Sequence, residues 1–145
     1  METAEKITII VATTVKLPIN EVWQLWTNPR HIKNWYNASE DWHAPYAEND
    51  FRVDGKFKTT VASKNGNEKY DFEGVYTKIK ENKFIEYIIN DGRKVRIEFV
   101  DMRNETHITE TFEIEKSHPF DEHKNGWQAI LDNFKRYCEN IQVEA

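Results

Sequence analysis

At 145 residues, the chain has room for one domain with a real core, and its formal charge of −5 argues against a nucleic-acid-binding face. Five Trp, six Tyr and eight Phe concentrate the apolar content in rings, which form either an aromatic core or the walls of a ligand cavity. The single cysteine excludes an intrachain disulfide, residues 1–6 are polar and too short for a signal peptide, and no run approaches the ~20 apolar residues needed to span a bilayer, so a soluble, cytoplasmic protein is expected.

Residues 7–15 are rich in β-branched side chains and predict a first strand. Pro18 suits the opening turn of a short helix over 18–26, where its missing N–H costs little. Asn28-Pro29 then pairs a good N-cap with a good first helical residue, so a second short helix should run to about Tyr36. Residues 37–50 are polar and turn-like apart from Trp42 and Tyr46, and read as a loop on the surface or at the mouth of a cavity.

Strands follow. Residues 51–63 form one, interrupted by a bulge or bend at Asp54-Gly55. Asn65-Gly66 is a hairpin turn, and 70–79 is the next strand. Its apolar parity switches around Gly74, which predicts a bulge there. Ile85, Tyr87 and Ile89 share one face of a strand over 84–90. After the Asn90-Asp91-Gly92-Arg93 turn, Val95, Ile97 and Phe99 alternate with charged Lys94, Arg96 and Glu98, the mark of a strand with one wet face. Residues 106–115 form the last strand.

The final helix is expected over 126–141, capped by Asn125 with Gln128 reaching back, or starting earlier near Asp121. Trp127, Ile130, Leu131, Phe134, Cys138 and Ile141 recur at three- and four-residue steps and share one face, while Asp132 and Arg136 can pair across one turn. About 16 helical residues span ~24 Å, the length of a seven- or eight-residue strand, so one helix can lie along a curved sheet. The fold class is therefore α+β: an antiparallel sheet of about six strands wrapped on a long C-terminal helix, with two short helices after the first strand, in a single domain over 1–145.

The segments PINEVWQLWTNPRHIKNWY, NDFRVDGKF, FEGVYTKIKENKFIEYIINDGRKVRIEF, THITETFEIE and GWQAILDNFKRYCE, in that order and at that spacing, resemble the SRPBCC (START-like) superfamily. Within it they resemble the branch related to the C-terminal domain of the heat-shock-protein-90 ATPase activator. The resemblance spans about residues 7–141. One departure is Asp54-Gly55, where the family often has two glycines. The resemblance implies a helix-grip fold with a cavity that many relatives use for lipophilic ligands such as sterols, lipids or polyketide-like aromatics. It carries no invariant catalytic set, and a fold by itself does not specify a function.

Few residues suggest chemistry. His118 and His123 are five apart, which on a helix makes the rings diverge, and their spacing matches no zinc motif, so no metal is expected. Cys138 sits on the apolar helix face, where a thiol behaves as a small hydrophobe. No glycine-rich phosphate loop is present, and no cofactor is expected. Glu110 shares the parity of Ile108, Phe112 and Ile114, so strict alternation points it inward as a polar anchor with a raised pKa, whereas a local bulge would turn it to solvent. Trp35, Trp42, His43 and Tyr46 either border a cavity entrance or, for the tryptophans, plug the core. Tyr87, Phe99, Phe112, Trp127, Leu131 and Phe134 are inward candidates, some for the core and some for a cavity wall.

The leading functional expectation is a binding protein for a small lipophilic or aromatic ligand held between sheet and final helix. Alternatives are a chaperone-associated interaction protein like the ATPase activator, and a cyclase- or hydrolase-like enzyme using Glu110, His43 and Tyr87 as acid or base groups. The enzyme is the less favoured class. Expected partners are a small hydrophobic ligand or a chaperone, with no nucleic acid and no membrane insertion.

Overall fold

The computed structural model describes residues 6–37, 39–115 and 119–143. The chain runs β1 (Lys6–Val15), α1 (Ile19–Thr27), α2 (Pro29–Trp35), β2 (Trp42–Asn49), β3 (Lys56–Ser63), β4 (Lys69–Lys80), β5 (Phe84–Ile89), β6 (Lys94–Asp101), β7 (Thr106–Glu115) and α3 (Phe120–Val143). The strands form one sheet of seven in the order β1-β7-β6-β5-β4-β3-β2, with every neighbouring pair antiparallel. Five consecutive hairpin-type connections join β2 to β7, as short turns favour. The two small helices carry the chain from one sheet edge to the other.

Seven strands replace the expected six. The extra one is β2, drawn from the segment read as a loop. It is an edge strand, hydrogen-bonded to β3 alone, and its register breaks between His43 and Tyr46, around Pro45. Proline is tolerated at a bulge or an edge because no ladder bond is lost there. Phe51 lies outside β3, which begins only at Lys56. Between them the chain turns sharply at Asp54 (φ 70°), and a Cβ on Gly55 would stand 2.0 Å from the Asp50 carbonyl oxygen. The parity switch in β4 also has a different place. Register runs unbroken through Gly74 and slips between Tyr76 and Lys78.

Alternation sorts the sheet into two faces. Ile9, Val11, Ile85, Tyr87, Ile97, Ile108, Phe112 and Ile114 are all buried on the inner face. Lys78, Glu86, Arg96 and Glu98 form an ion-pair ladder on the outer one. Above the inner face lies α3, with Leu131, Phe134 and Cys138 each 0 % exposed. Burial pushes the Cys138 thiol up, so it sits there as a protonated, apolar side chain. Polar side chains fix the helix against its neighbours: Gln128 donates to the Ala12 carbonyl of β1 (3.1 Å), and Asn133 donates to the Trp35 carbonyl of α2 (2.7 Å).

The start of α3 at Phe120 places Asn125 inside the helix rather than at its cap. Asp132 accepts from Gln128 (2.8 Å), and Arg136 reaches Asn133 instead of Asp132. No helix among the described residues is long and apolar enough to cross a membrane.

At the narrow end, α1 and α2 close the core. Asn28 caps α2 by accepting from the Arg30 N–H (3.0 Å), and Pro29 follows as the first helical residue. Trp35 is 2 % exposed and donates its indole N–H to the Leu25 carbonyl (3.0 Å), which locks α2 onto α1.

Candidate functional site

Between the inner face and α3 lies a small recess of about 50 Å³, walled by Trp26, Trp35, Tyr36, Phe57, Tyr76, Tyr87 and Trp127, with Ile32, Ile85 and Ile130 completing the apolar lining. Two other residues face it: Glu110 and Thr59. Adjoining the recess is an open groove of about 550 Å³ between α3 and the β3–β4 end of the sheet. Tyr36, Trp127 and Ile130 border both spaces. The groove wall adds Trp42, Val61, Tyr70 and Phe72, with polar Asn37, Asp71, Arg93 and His123.

Strand alternation explains Glu110. It occupies an inward position of β7 between Ile108 and Phe112, and it pairs with Val11 of β1 and Ile97 of β6. Those four neighbours are each no more than 1 % exposed, and Glu110 itself is 4 % exposed. No bulge turns it outward: the register through β7 is continuous on both sides. Loss of water pushes its carboxyl up to about 8, so it is mostly protonated at neutral pH.

Hydrogen bonding divides the polar groups of the recess. The Tyr76 hydroxyl donates to Asn49 Oδ1 (2.6 Å) and is satisfied. Among the described residues, Glu110, Tyr36, Tyr87 and Thr59 form no side-chain hydrogen bond or ion pair, and no buried polar side-chain atom sealed from solvent lacks a partner. These four groups therefore keep contact with the open space and direct their hydrogen-bonding capacity into it. Burial raises the phenol pKa of Tyr36, with the Glu110 charge adding to the effect, and burial likewise raises Tyr87, with Tyr36, Glu110 and Tyr76 contributing. Both phenols are neutral donors and acceptors at physiological pH.

Gly74 shapes the wall. A Cβ there would lie 2.6 Å from the Ile88 carbonyl oxygen and 2.8 Å from the Phe57 ring. The missing side chain lets the Phe57 ring approach β4, where it meets those of Tyr76 (5.1 Å between centroids) and Tyr87 (4.8 Å).

The sequence-predicted site residues separate into distinct places. Trp35, Tyr87, Glu110 and Trp127 meet at the recess. Trp42 borders the groove and stacks on Tyr70 at 5.8 Å. His43 and Tyr46 do not reach either space. Both are exposed, they pair with Ala62 and Thr60 on the opposite face of β3, and the Tyr46 hydroxyl donates to Glu48 (2.6 Å). The reason is that residues 42–49 are a strand, so their side chains alternate between faces instead of crowding a loop mouth.

Phe99, Phe112, Leu131 and Phe134 are core residues behind the recess. Phe99 packs edge-on against Trp23 and Trp26, Phe134 against Trp26 and Trp35, and Phe112 stacks under Trp127 with centroids 4.2 Å apart.

Tyr36, Thr59, Phe57 and Tyr76 escaped the sequence reading. Tyr36 follows the last turn of α2 and belongs to no periodic pattern. Thr59 could have been flagged, since it shares strand parity with Phe57 and Val61.

Of the two histidines weighed for a metal, His118 lies outside the described residues and His123 borders the groove. No group of three or more His, Cys, Asp or Glu side chains able to hold a metal ion occurs among the described residues. Two further clefts lie on the outer face, of about 380 and 510 Å³. In the first of them Glu86 is held by Arg96 at 2.7 Å and by Lys78 at 3.6 Å. What sets the inner recess apart is an unpaired acid and two phenols held by rigid strands and a helix end, able to hydrogen-bond a polar group while the surrounding rings bury an apolar one.

The likeness to known proteins follows the fold. Residues 16–139 match the family model described as activator of Hsp90 ATPase homolog 1-like protein. A solution structure of a protein from Cytophaga hutchinsonii is 46% identical, with 97% of this chain and 96% of that one covered and a TM-score of 0.77. The AHSA1-like protein from Aeromonas hydrophila is 35% identical over 94% of this chain and 95% of its own, with a TM-score of 0.88. The Aha1 dimer from Colwellia psychrerythraea, at 18% identity, coverage of 92% and 96% and a TM-score of 0.72, shares the fold. No curated protein matches the sequence. A family model spanning most of the chain, and two relatives above 30% identity along nearly its whole length, establish that this protein belongs to the activator of Hsp90 ATPase homolog 1-like family, within the SRPBCC superfamily.

Proposed function

We propose that this protein binds a small lipophilic or aromatic molecule, with a polar end in the recess at Glu110, Tyr36 and Tyr87 and an apolar body in the groove along Trp42, Phe72 and Trp127. The observation that carries this reading is the set of unpartnered polar groups enclosed by aromatic rings. Size supports the division of labour. A water occupies roughly 30 Å³ of liquid, so the recess of about 50 Å³ admits only a head group. The groove, at about 550 Å³, falls within the ~300–1,000 Å³ range of ligand sites.

A screen of fatty acids, sterols and planar polyphenols by thermal shift, followed by amide and indole NMR, tests the proposal. Binding should raise the melting temperature and move the Trp127 indole resonance along with the Tyr36 and Glu110 amides. Failure of every compound to move those signals would refute it.

The family description favours a second reading, contact with a chaperone of the heat-shock-protein-90 class. An unchanged chaperone ATPase rate on addition of this protein would count against that role. Acid–base catalysis in the recess is a third reading, supported by the inward Glu110 beside Tyr87. His43 is on the other face of the sheet and takes no part in it.

A further inference from the structure

The carboxyl group at the floor of the recess is the feature least accounted for by a purely lipophilic ligand. Glu110 is 4 % exposed, has no hydrogen-bond or ion-pair partner among the described residues, and faces a space whose lining contains no Lys, Arg or His. A ligand presenting only an acceptor oxygen would be served equally by a glutamine or a hydroxyl, with less cost of burial. The property a carboxyl group alone brings is a negative charge. Much of the wall suits the opposite charge. Phenol oxygens of Tyr36 and Tyr87 can accept N–H bonds, and aromatic rings, of which Trp26, Trp35, Phe57 and Trp127 line the same small volume, attract cations through their electron-rich faces.

Resting on the ligand-binding reading above, we infer that the ligand carries an aliphatic ammonium group, which pairs with the Glu110 carboxylate inside the aromatic recess while an apolar tail lies in the groove. The volume fits one such head group. The proton balance is explicit. Without a ligand, Glu110 is mostly protonated at pH 7, because burial pushes its carboxyl up to about 8. An alkylammonium ligand enters as the cation, Glu110 gives its proton to solvent, and the complex contains a carboxylate–ammonium pair. The titratable groups facing Glu110 across the recess are the phenols Tyr36, Tyr76 and Tyr87, all with pKa values raised by burial, so Glu110 alone supplies the released proton.

Three probes of similar size test this on the full chain: phenethylamine, phenethyl alcohol and phenylacetone, titrated by NMR and by calorimetry at pH 7 in buffers of different ionisation enthalpy. The expected result is that the amine binds at least ~10-fold tighter than the alcohol or the ketone, and that only the amine releases close to one proton. Glu110→Gln should erase the amine preference and the proton release, yet leave the alcohol within ~3-fold. Tyr87→Phe, which keeps the ring, should weaken the amine a few-fold with proton release intact.

If the ketone or alcohol moves the recess resonances as strongly as the amine, and Glu110→Gln leaves the order of affinities unchanged, the ammonium inference falls while the ligand-binding proposal stands. If none of the three moves those resonances up to its solubility limit and the lipid, sterol and polyphenol screen is also silent, both fall.

Discussion

Replacing Glu110 by glutamine should make the protein more stable, and by an amount that grows with pH. In the folded chain the carboxyl is buried without a partner and is pushed from 4.5 up to about 8, whereas in the unfolded chain it returns to its ordinary value. Between those two values the folded state holds a proton that the unfolded state has released. Raising the pH therefore favours unfolding, with a limiting slope of about 1.4 kcal/mol per pH unit. Integrated from pH 5 to pH 8, the loss is roughly 3–4 kcal/mol, and it levels off above the folded value at about 5 kcal/mol. Glutamine has nearly the same shape and no charge to lose.

Urea unfolding of both proteins at pH 5, 6, 7 and 8, followed by far-ultraviolet circular dichroism, gives the difference directly, because the other titrating groups cancel between them. The gap should be smallest at pH 5 and widen by about 3 kcal/mol at pH 8, on the order of 10 °C in melting temperature. Parallel pH profiles, with a gap constant to within about 1 kcal/mol, would refute the placement of an unpaired carboxyl in the core.

Other substitutions probe the frame around the site. Gly74→Ala forces a methyl group against the Ile88 carbonyl and the Phe57 ring and should cost about 1–3 kcal/mol in urea unfolding. Gly126→Ala, on a helical residue with open space around it, should add about 0.5–1 kcal/mol in the same assay. Phe134→Ala removes a fully buried ring that contacts Trp26 and Trp35 and should cost about 3–5 kcal/mol, with loss of near-ultraviolet dichroism from the tryptophans. Asn28→Ala deletes the cap of α2, and thermal unfolding should report about 1 kcal/mol of destabilisation.

What could be read from the sequence was whatever repeats. The three-and-four spacing of Trp127, Leu131, Phe134 and Cys138 located the long helix, and the strict alternation around Ile97 and Ile108 located the central strands. For Glu110 that same alternation offers an inward position, beside the alternative of a bulge that would turn it to solvent; the unbroken register of β7 decides between them. An edge strand such as β2 escapes this logic. It contacts one neighbour, its outer face is polar, and Pro45 sits within it, so nothing in its local chemistry separates it from a loop.

The start of α3 has two readings in the sequence, at Asn125 or near Asp121, for a related reason, and the structure takes the earlier one. Residues 120–125 are mostly polar and exposed, so they add backbone hydrogen bonds to the helix without adding periodicity. Tyr36 and Thr59 reach the recess through the path of the chain, which brings the end of α2 and the middle of β3 over β5 and β7. A linear pattern does not encode that convergence.

The burial of Cys138 turns it into a clock. It carries the chain's one thiol, it is 0 % exposed, and burial keeps it protonated. A thiol reagent added under native conditions can react only during the moments when α3 lifts from the sheet, so the labelling rate reports how often the two layers part. Any molecule that spans the recess and the groove touches both layers and holds them together, slowing that rate by the factor 1 + [L]/Kd when the labile state does not bind it. An unknown ligand can thus be recognised by mass spectrometry of one cysteine, in mixtures, before its chemistry is known.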